Sequence, residues 1–403
     1  MAPVPSTSAT SEAGRARFRQ KLLQRHKSGR SQCIRLGLAR NPTLILHWPP
    51  SRRNKYQVLL YSKALAFGYI PFPLFDLDLL DDLEWQGDIV FHAHWFSRLH
   101  KDCATEAEAL AANECTFERL NAFRVRTGAK LLWTAHNVLP HETGHLYAAV
   151  DARRRVLREF DAIHLMAEEH RSILEEAFGV TLGRHMVVPH MTYEGVYPDN
   201  ISRDQARRAL GIRPEDFVFG SFGSLQPYKG IEKLISTFRE LAGERPNSRL
   251  LIAGAPVDLT YAEALVRLWE RDPRIILHAH DVQDRLVEAY FKASDVMVFP
   301  YDETLNSGAA ATALTFGVPI IGSDTTAFRN LGSPLVRRFR DKPGSRLGDA
   351  MRQAMDMAAE SHAHGPGAFR PDIDHLHPDR ISTQFFIQLE ELFSQRQQTC
   401  SAS

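Results

Sequence analysis

Three short apolar segments of this chain end in side chains able to do chemistry. They read Leu46-His47-Trp48-Pro49, Phe91-His92-Ala93-His94-Trp95 and Trp133-Thr134-Ala135-His136-Asn137-Val138-Leu139-Pro140-His141-Glu142. Imidazoles and a carboxylate grouped in this way can move protons or contact phosphates, and indoles can stack on sugar rings. His136, His141 and Glu142 are the candidates for proton or phosphate chemistry, and Trp48 and Trp95 for sugar platforms. His92 reads as a satisfied core histidine. His141-Glu142-Thr143-Gly144-His145 also matches the His-Glu-x-x-His pattern of zinc proteases, which needs both histidines on one helical face. Pro140 before it and Gly144 inside it predict a loop that enters a helix at Leu146, so no metal is expected.

Two further loops are suited to anions. Gly223-Ser224-Leu225-Gln226-Pro227-Tyr228-Lys229-Gly230 follows a strand-like run and precedes a helical one. Its glycines let a backbone approach a phosphate, the helix start supplies N–H donors and Lys229 a positive charge; a plain β-turn with a surface lysine is the alternative. Neither a Walker A sequence nor a Gly-x-Gly-x-x-Gly after a first strand is present, which disfavours a nicotinamide cofactor. The second loop, Pro300-Tyr301-Asp302-Glu303-Thr304-Leu305-Asn306-Ser307-Gly308, offers Asn306 or Ser307 as a helix cap. Three alanines follow, leaving room at the first turn, and Glu303 can accept hydrogen bonds from sugar hydroxyls. Together the two loops suit a nucleotide diphosphate-sugar.

The elements that must position these loops alternate. Strands are expected at Thr43–His47, Asp88–His92, Lys130–Thr134 and Asp161–Leu165, then at Phe217–Phe222, Arg249–Ala253, Ile275–His278, Val296–Phe299 and Pro319–Ile321. Helical periodicity fills the intervals, at Tyr56–Ala66, Ala104–Arg126 and Leu146–Glu159 and again in the second half. Short apolar strands alternating with helices imply parallel sheets covered on both faces. With 403 residues and roughly 150 per domain, two doubly wound domains are expected, and ligands in such domains sit beyond the carboxyl ends of the strands.

Composition excludes other classes. At 44% hydrophobic and 24% charged the chain is that of a globular protein, and no run approaches the ~18 apolar residues of a membrane span. Four cysteines without paired spacing argue against a disulfide scaffold or a structural zinc site. The polar start, MAPVPSTSATSEAG, has no apolar core of a secretory signal, so a cytosolic location is expected. The net charge of +1 hides an asymmetry: Ala13 to Phe75 holds thirteen Lys or Arg and no Asp or Glu, nine of them between Arg15 and Arg40. If helical, that segment gains an apolar stripe from Phe18, Leu22 and Leu23. It then suits an anionic membrane surface, at about 1 kcal/mol per basic residue, or else stays a solvated arm. No motif accompanies the charge to suggest nucleic acid.

Taken in order, His-x-His-Trp, Trp-Thr-Ala-His-Asn-x-x-Pro-His-Glu, Phe-Gly-x-Leu-x-Pro-Tyr-Lys-Gly and Pro-Tyr-x-x-x-x-Asn-Ser-Gly resemble the GT-B glycosyltransferases. The likeness runs from about Thr43 to Phe316 and is closest to bacterial exopolysaccharide enzymes, the xanthan-type GDP-mannose:glycolipid β-mannosyltransferases. It implies two Rossmann-like α/β domains facing across a cleft: a basic arm over 1–40, an acceptor domain over 41–190, a nucleotide-sugar domain over 191–375, and a C-terminal helix and tail over 376–403 packing back on the first domain. His190 resembles the point where the family's chain crosses between domains. By the same likeness, Gly223, Ser224, Lys229, Gly230, Glu303, Asn306, Ser307 and Gly308 bind the donor; His47, Trp48, His94, Trp95 and His141 bind the acceptor; Glu142 is the first candidate for the base of an inverting reaction and His136 positions substrate. Ser224 stands where retaining relatives carry an arginine, and Thr312 falls where they carry a second glutamate.

The function implied is transfer of a hexose, mannose from GDP-mannose, to a polyprenyl-diphosphate-linked oligosaccharide in exopolysaccharide biosynthesis. The enzyme is expected at the inner face of the cell membrane, held there by residues 15–40, with neither metal nor other cofactor. Alternatives are a UDP-sugar-dependent glucuronosyl or glucosyl transferase of the same fold, a nucleotide-sugar 2-epimerase, and a non-catalytic carbohydrate-binding protein.

Overall fold

A computed structural model describes residues 11–51, 54–140, 144–270, 272–360 and 370–394. The chain folds as two units, Met1–Pro189 with Asp379–Ser403, and His190–Pro378. The first holds β1 (Thr43–Trp48), β2 (Tyr69–Pro73), β3 (Ile89–Ala93), β4 (Lys130–Thr134), β5 (Ala162–Leu165) and β6 (His185–Val187). The second holds β7 (Phe217–Phe222), β8 (Ser248–Ala253), β9 (Ile275–His278), β10 (Val296–Phe299), β11 (Ile320–Ser323) and β12 (Val336–Phe339). The sheet orders are β2-β1-β3-β4-β5-β6 and β12-β11-β10-β7-β8-β9, and every pairing is parallel.

Burial explains why the apolar runs form strands. Every residue of β3 and of β10 is buried, as required where helices cover both faces. Sequence reading missed β2, β6 and β12, and these share a cause: each is a sheet edge. β2 carries Pro71 and Pro73, β12 carries Arg337 and Arg338, and β6 has only three residues. An edge tolerates missing donors and charged side chains, so the apolar signal is weak there. The helix Glu169–Phe178 was also missed, and the run Tyr56–Ala66 is a short helix, Tyr56–Leu60, followed by a separate 3₁₀ turn at Ala64–Phe67.

The basic segment takes the helical form that the apolar stripe allowed. Residues Glu12–Arg35 form one helix, with Ser11 capping the Gly14 amide, and it packs on the first unit. Its buried side is Phe18, Leu22, Gly29 and Cys33. Phe18 meets the edge of Phe72 at 5.6 Å and joins the core of the first sheet. Arg15 pairs with Asp82, and His26 lies against Trp85 and the Gln86 carbonyl. Leu23 was grouped with Phe18 and Leu22 but points outward, 57% exposed.

The chain also returns to the first unit at its far end. Within the helix Pro378–Ser394, Phe385, Phe386 and Leu389 are fully buried. The Ser382 hydroxyl donates to the Leu60 carbonyl at 2.7 Å and accepts from the Lys63 amide at 3.0 Å. Arg40 forms an ion pair with Glu390.

Neighbouring leucines on the first helix should therefore respond differently to truncation. Leu22→Ala should cost about 2–5 kcal/mol of stability in urea unfolding, and Leu23→Ala should stay within about 0.5 kcal/mol of the parent. Equal effects would show that the helix is not docked in solution.

Candidate functional site

Chain order fixes where a ligand belongs in the second unit. Counting from β7, its strands lie in the order 3-2-1-4-5-6, so the strand order reverses between β7 and β10. A crevice opens at such a reversal, beyond the carboxyl ends of the strands. The two loops singled out from sequence leave β7 and β10 at that point.

Close packing joins these loops. Gly230 has φ 63°, and a side chain there would come within 2.4 Å of the Pro300 carbonyl oxygen. The Asp302 amide donates to the Tyr228 carbonyl at 2.8 Å, and the rings of Tyr228 and Tyr301 meet edge-on at 5.8 Å. Gly223 has φ 111°, and a Cβ on it would stand 3.0 Å from Lys229 Nζ and 3.9 Å from the Ala309 methyl. The amino group, the bare glycine backbone and the first turn of the helix Gly308–Thr315 thus converge. Ser307 caps that helix, accepting from the Ala310 amide at 3.2 Å, and also hydrogen-bonds Tyr301. The first N–H groups of an α-helix lack intrahelical partners and carry its positive dipole end.

Lys229 is 8% exposed, and among the described residues it pairs with no carboxylate. Its amino group lies 5.5 Å from the centre of the Tyr301 ring. Burial pushes its pKa down to about 8. A buried cation without a partner is costly in the empty protein and becomes favourable once an anion arrives. Ser224 and Glu303 are exposed on the same loops, Asn306 is half-buried, and Thr312 is buried with its hydroxyl donating to the Gly308 carbonyl at 2.8 Å. Tyr301 was not recognised from sequence, although Pro-Tyr directly after an apolar strand is the trace it leaves there.

In the first unit the strand order turns at β1 and β3, and the histidine-bearing ends meet there. His136 is 9% exposed, stacked on Trp95 at 4.4 Å, with the edge of Tyr56 5.0 Å away. Its Nε2 lies 3.0 Å from His94 Nδ1. Behind it the contacts continue: His94 Nε2 to the Tyr61 hydroxyl at 2.9 Å, Tyr61 to His92 Nδ1 at 2.7 Å, and His92 Nε2 to Thr134 Oγ1 at 2.7 Å. Thr134 reaches His164 Nδ1 at 3.0 Å, and His164 Nε2 reaches the Val188 carbonyl at 3.0 Å. Burial and the other imidazoles hold His92 and His94 well below the ordinary histidine pKa, and burial holds Tyr61 well above the ordinary tyrosine value.

Arg153 fixes the loop that carries His136. It is fully buried over the Trp133 ring at 5.0 Å, and its Nε donates to the Val138 carbonyl at 3.1 Å. Burial lowers its pKa to about 10. Sequence reading passed over Arg153, Tyr61 and Tyr56 because helical periodicity alone does not say which polar residue turns inward.

Two residues expected at an acceptor surface do not reach one. Trp48 is 3% exposed and packs on Phe91 and Phe96, as the last side chain of a strand covered on that face. His94 is buried inside the histidine chain. His47 is half-buried beside Tyr61 at 5.2 Å, with burial lowering its pKa to about 4. Trp95 is half-buried against His136. His141 and Glu142 lie outside the described residues. His145 precedes the helix Leu146–Glu159 and hydrogen-bonds the Cys103 carbonyl at 3.0 Å. Among the described residues no group of three or more His, Cys, Asp or Glu could hold a metal ion. His190 is buried, with Nδ1 2.7 Å from the Met191 carbonyl, at the first residue of the second unit.

Comparison with known proteins gives three findings. Residues 202–364 match the family model described as glycosyl transferases group 1. Among curated proteins, the chain is 26% identical over 267 residues to a D-inositol 3-phosphate glycosyltransferase of Rhodococcus erythropolis, covering 60% of each chain. It is 25% identical over 232 residues to a GDP-mannose:glycolipid 4-beta-D-mannosyltransferase of Xanthomonas campestris pv. campestris, covering 58% of this chain and 60% of that one. The matches thus span about 60% of these relatives' length. Among solved structures, Anabaena Alr3699/HepE in complex with UDP-glucose superposes with TM-score 0.63 at 13% identity, covering 87% of this chain and 99% of that one. WaaG, a glycosyltransferase involved in lipopolysaccharide biosynthesis, gives 0.56 at 12% identity over 87% and 96%. These likenesses show the fold, GT-B, as the sequence motifs implied.

The buried lysine should cost stability in a pH-dependent way. Folded Lys229 titrates at about 8 and the unfolded side chain near 10.4, so the cost, roughly 3 kcal/mol at most, is full below pH 8 and fades as pH rises toward 10.4. Lys229→Met should accordingly unfold at higher denaturant than the parent at pH 7, with the gap closing by pH 10. A variant no more stable at pH 7 would show that the charge is not buried.

Proposed function

We propose, from the premise that residues 202–364 form a glycosyl transferases group 1 domain, that the chain transfers mannose from GDP-mannose to a lipid-linked oligosaccharide. The observation that carries this reading is the buried Lys229 amino group set over bare Gly223 at the start of the helix Gly308–Thr315. That arrangement suits a diphosphate, whose charge grows as the bond to the sugar breaks. Lys229 and the helix N–H groups stabilise the leaving nucleotide diphosphate, with Gly223, Ser224, Gly230, Asn306, Ser307 and Gly308 shaping its seat and Glu303 accepting from sugar hydroxyls. Positive charge for the phosphates comes from the protein, so this reading includes neither metal nor cofactor.

In the inverting form of the reaction, the acceptor oxygen bonds to the anomeric carbon as the sugar–diphosphate bond breaks. The acceptor proton passes to a carboxylate, for which Glu142 is the candidate. His136, with Trp95 stacked on it, contacts substrate from the first unit. Mannose and a glycolipid acceptor are supported by the Xanthomonas relative's name. A second reading keeps the chemistry and replaces the donor with a UDP-sugar, as in the Anabaena neighbour bound to UDP-glucose.

The first helix supports a place at an anionic membrane. Its outward side carries Arg17, Arg19, Lys21, Arg25, Lys27, Arg30 and Arg35 with Leu23 and Ile34, the latter 69% exposed. Among the described residues no helix is long and apolar enough to cross a membrane. Basic residues around exposed apolar ones suit a headgroup surface.

Thermal shift with nucleotides and nucleotide sugars separates the donors, since a ligand of the native state raises its stability by mass action. A shift with GDP and GDP-mannose, lost in Lys229→Met, is expected; a shift with UDP species alone replaces mannose by the second reading. In a transfer assay with the donor so chosen, Glu142→Gln should keep the shift and lose turnover, and near-normal turnover would remove it as the base. Replacing Arg17, Arg19, Lys21, Arg25 and Lys27 by Glu should abolish co-sedimentation with phosphatidylglycerol vesicles. Undiminished sedimentation would place the membrane contact elsewhere.

A further inference from the structure

The hydrogen bonds behind His136 have a fixed direction because they end on a group that can only accept. His164 Nε2 lies 3.0 Å from the Val188 carbonyl oxygen, so that nitrogen carries a hydrogen and donates. A neutral imidazole has a single N–H, which leaves His164 Nδ1 as an acceptor. The one hydroxyl hydrogen of Thr134 fills it, across 3.0 Å. Thr134 Oγ1 then receives the hydrogen of His92 Nε2 at 2.7 Å. His92 Nδ1, now an acceptor, takes the Tyr61 hydroxyl hydrogen at 2.7 Å. The Tyr61 oxygen accepts from His94 Nε2 at 2.9 Å, and His94 Nδ1 accepts from His136 Nε2 at 3.0 Å.

We infer that the Val188 carbonyl, acting through His164, Thr134, His92, Tyr61 and His94, holds His136 in the Nε2–H tautomer with Nδ1 as its acceptor nitrogen. The five side chains are positioning residues. They lie on β3 and the residue just past its end, on β4, on β5 and on the turn after Tyr56–Leu60, and all are buried. Phe385 closes the group from the C-terminal helix, stacked on His92 at 5.6 Å and edge-on to His164 at 5.4 Å. Burial excludes the water that would otherwise let each link turn round separately, so the chain has two arrangements, and the reversed one sets a His164 nitrogen without a hydrogen against the carbonyl oxygen. That mismatch strands a buried acceptor, a costly arrangement.

The consequence is chemical. A histidine that spends its one hydrogen inside the protein meets a substrate as a base or hydrogen-bond acceptor, never as a neutral donor. It therefore suits a sugar hydroxyl and not a bare phosphate oxygen. This deepens the role proposed for His136 but rests only on hydrogen bonds within the first unit.

Nitrogen-15 NMR of the imidazole side chains of the full chain, recorded without donor or acceptor, reads the tautomer directly. His136 is assigned from the resonances lost in His136→Gln. In the parent, the hydrogen is expected on Nε2 alone. Thr134→Val removes a hydroxyl four hydrogen bonds away and frees the rest of the chain to reverse, so the two His136 nitrogen shifts should move toward each other as the tautomers mix. Thr134→Ser should restore the parent pattern, which a merely structural role for Thr134 does not require. Should Thr134→Val fail to fold, Tyr61→Phe breaks the chain nearer to His136 and should mix the tautomers likewise. A parent His136 protonated on Nδ1 overturns the proposal with no variant needed, as does an unmixed His136 in the folded broken-chain variant. Because no sugar nucleotide is present, a wrong donor or a failed transfer assay leaves this result intact.

Discussion

All strands run parallel within their own sheets, and most of what this chain can do follows from that constraint. A parallel strand cannot be joined to its neighbour by a tight turn, so a crossover must return over one face, and both faces end up covered. Every loop leaving a strand's carboxyl end then emerges from the same edge of its sheet. In the second unit this brings Gly223–Gly230 and Pro300–Gly308 together at the reversal between β7 and β10. In the first it gathers the ends of β1, β3 and β4, with His47, His94 and His136.

Burial is then used in two opposite ways. In the second unit a cation, Lys229, has no counter-charge among the described residues, and its lowered pKa records the cost of removing water. Such a site is paid for by the rest of the fold and suits an arriving anion. In the first unit burial keeps imidazoles neutral, each satisfied by the next, so the cluster has orientation where the other has charge. A proton added to any imidazole behind His136 would place two hydrogens in one link.

The ends of the chain close the first unit. The helix Glu12–Arg35 contributes Phe18 and Leu22 to the core, and Pro378–Ser394 sets Phe385 against the histidines. A segment that composition marks as a basic arm is therefore half structural: its inward side is core, and its basic charge stands outward.

The alternation of apolar runs and helical periods, read from sequence alone, determined the fold class and the central strands, because a strand buried on both faces must be apolar throughout. The same reading singled out the loops after β4, β7 and β10, since glycine, capping and histidine-rich stretches stand out against apolar runs. Of the edge strands, β2, β6 and β12 were not legible, since an edge needs neither full donors nor a dry face, and Pro71, Pro73, Arg337 and Arg338 erase the pattern in β2 and β12. The strand β9, also an edge, was read because it keeps the apolar run Ile275-Ile276-Leu277. Which polar residue turns inward was decided only by tertiary structure. His94 and Trp95 are neighbours on one strand end, yet one is locked in a hydrogen-bond chain and the other stacks on His136. Likewise the sequence offered Lys229 as an anion ligand, with a surface lysine on a plain turn as the alternative, and only the packing beside Tyr301 shows it buried. Sequence spacing reports which side chains are near in the chain, whereas burial and direction depend on what the rest of the fold packs against them.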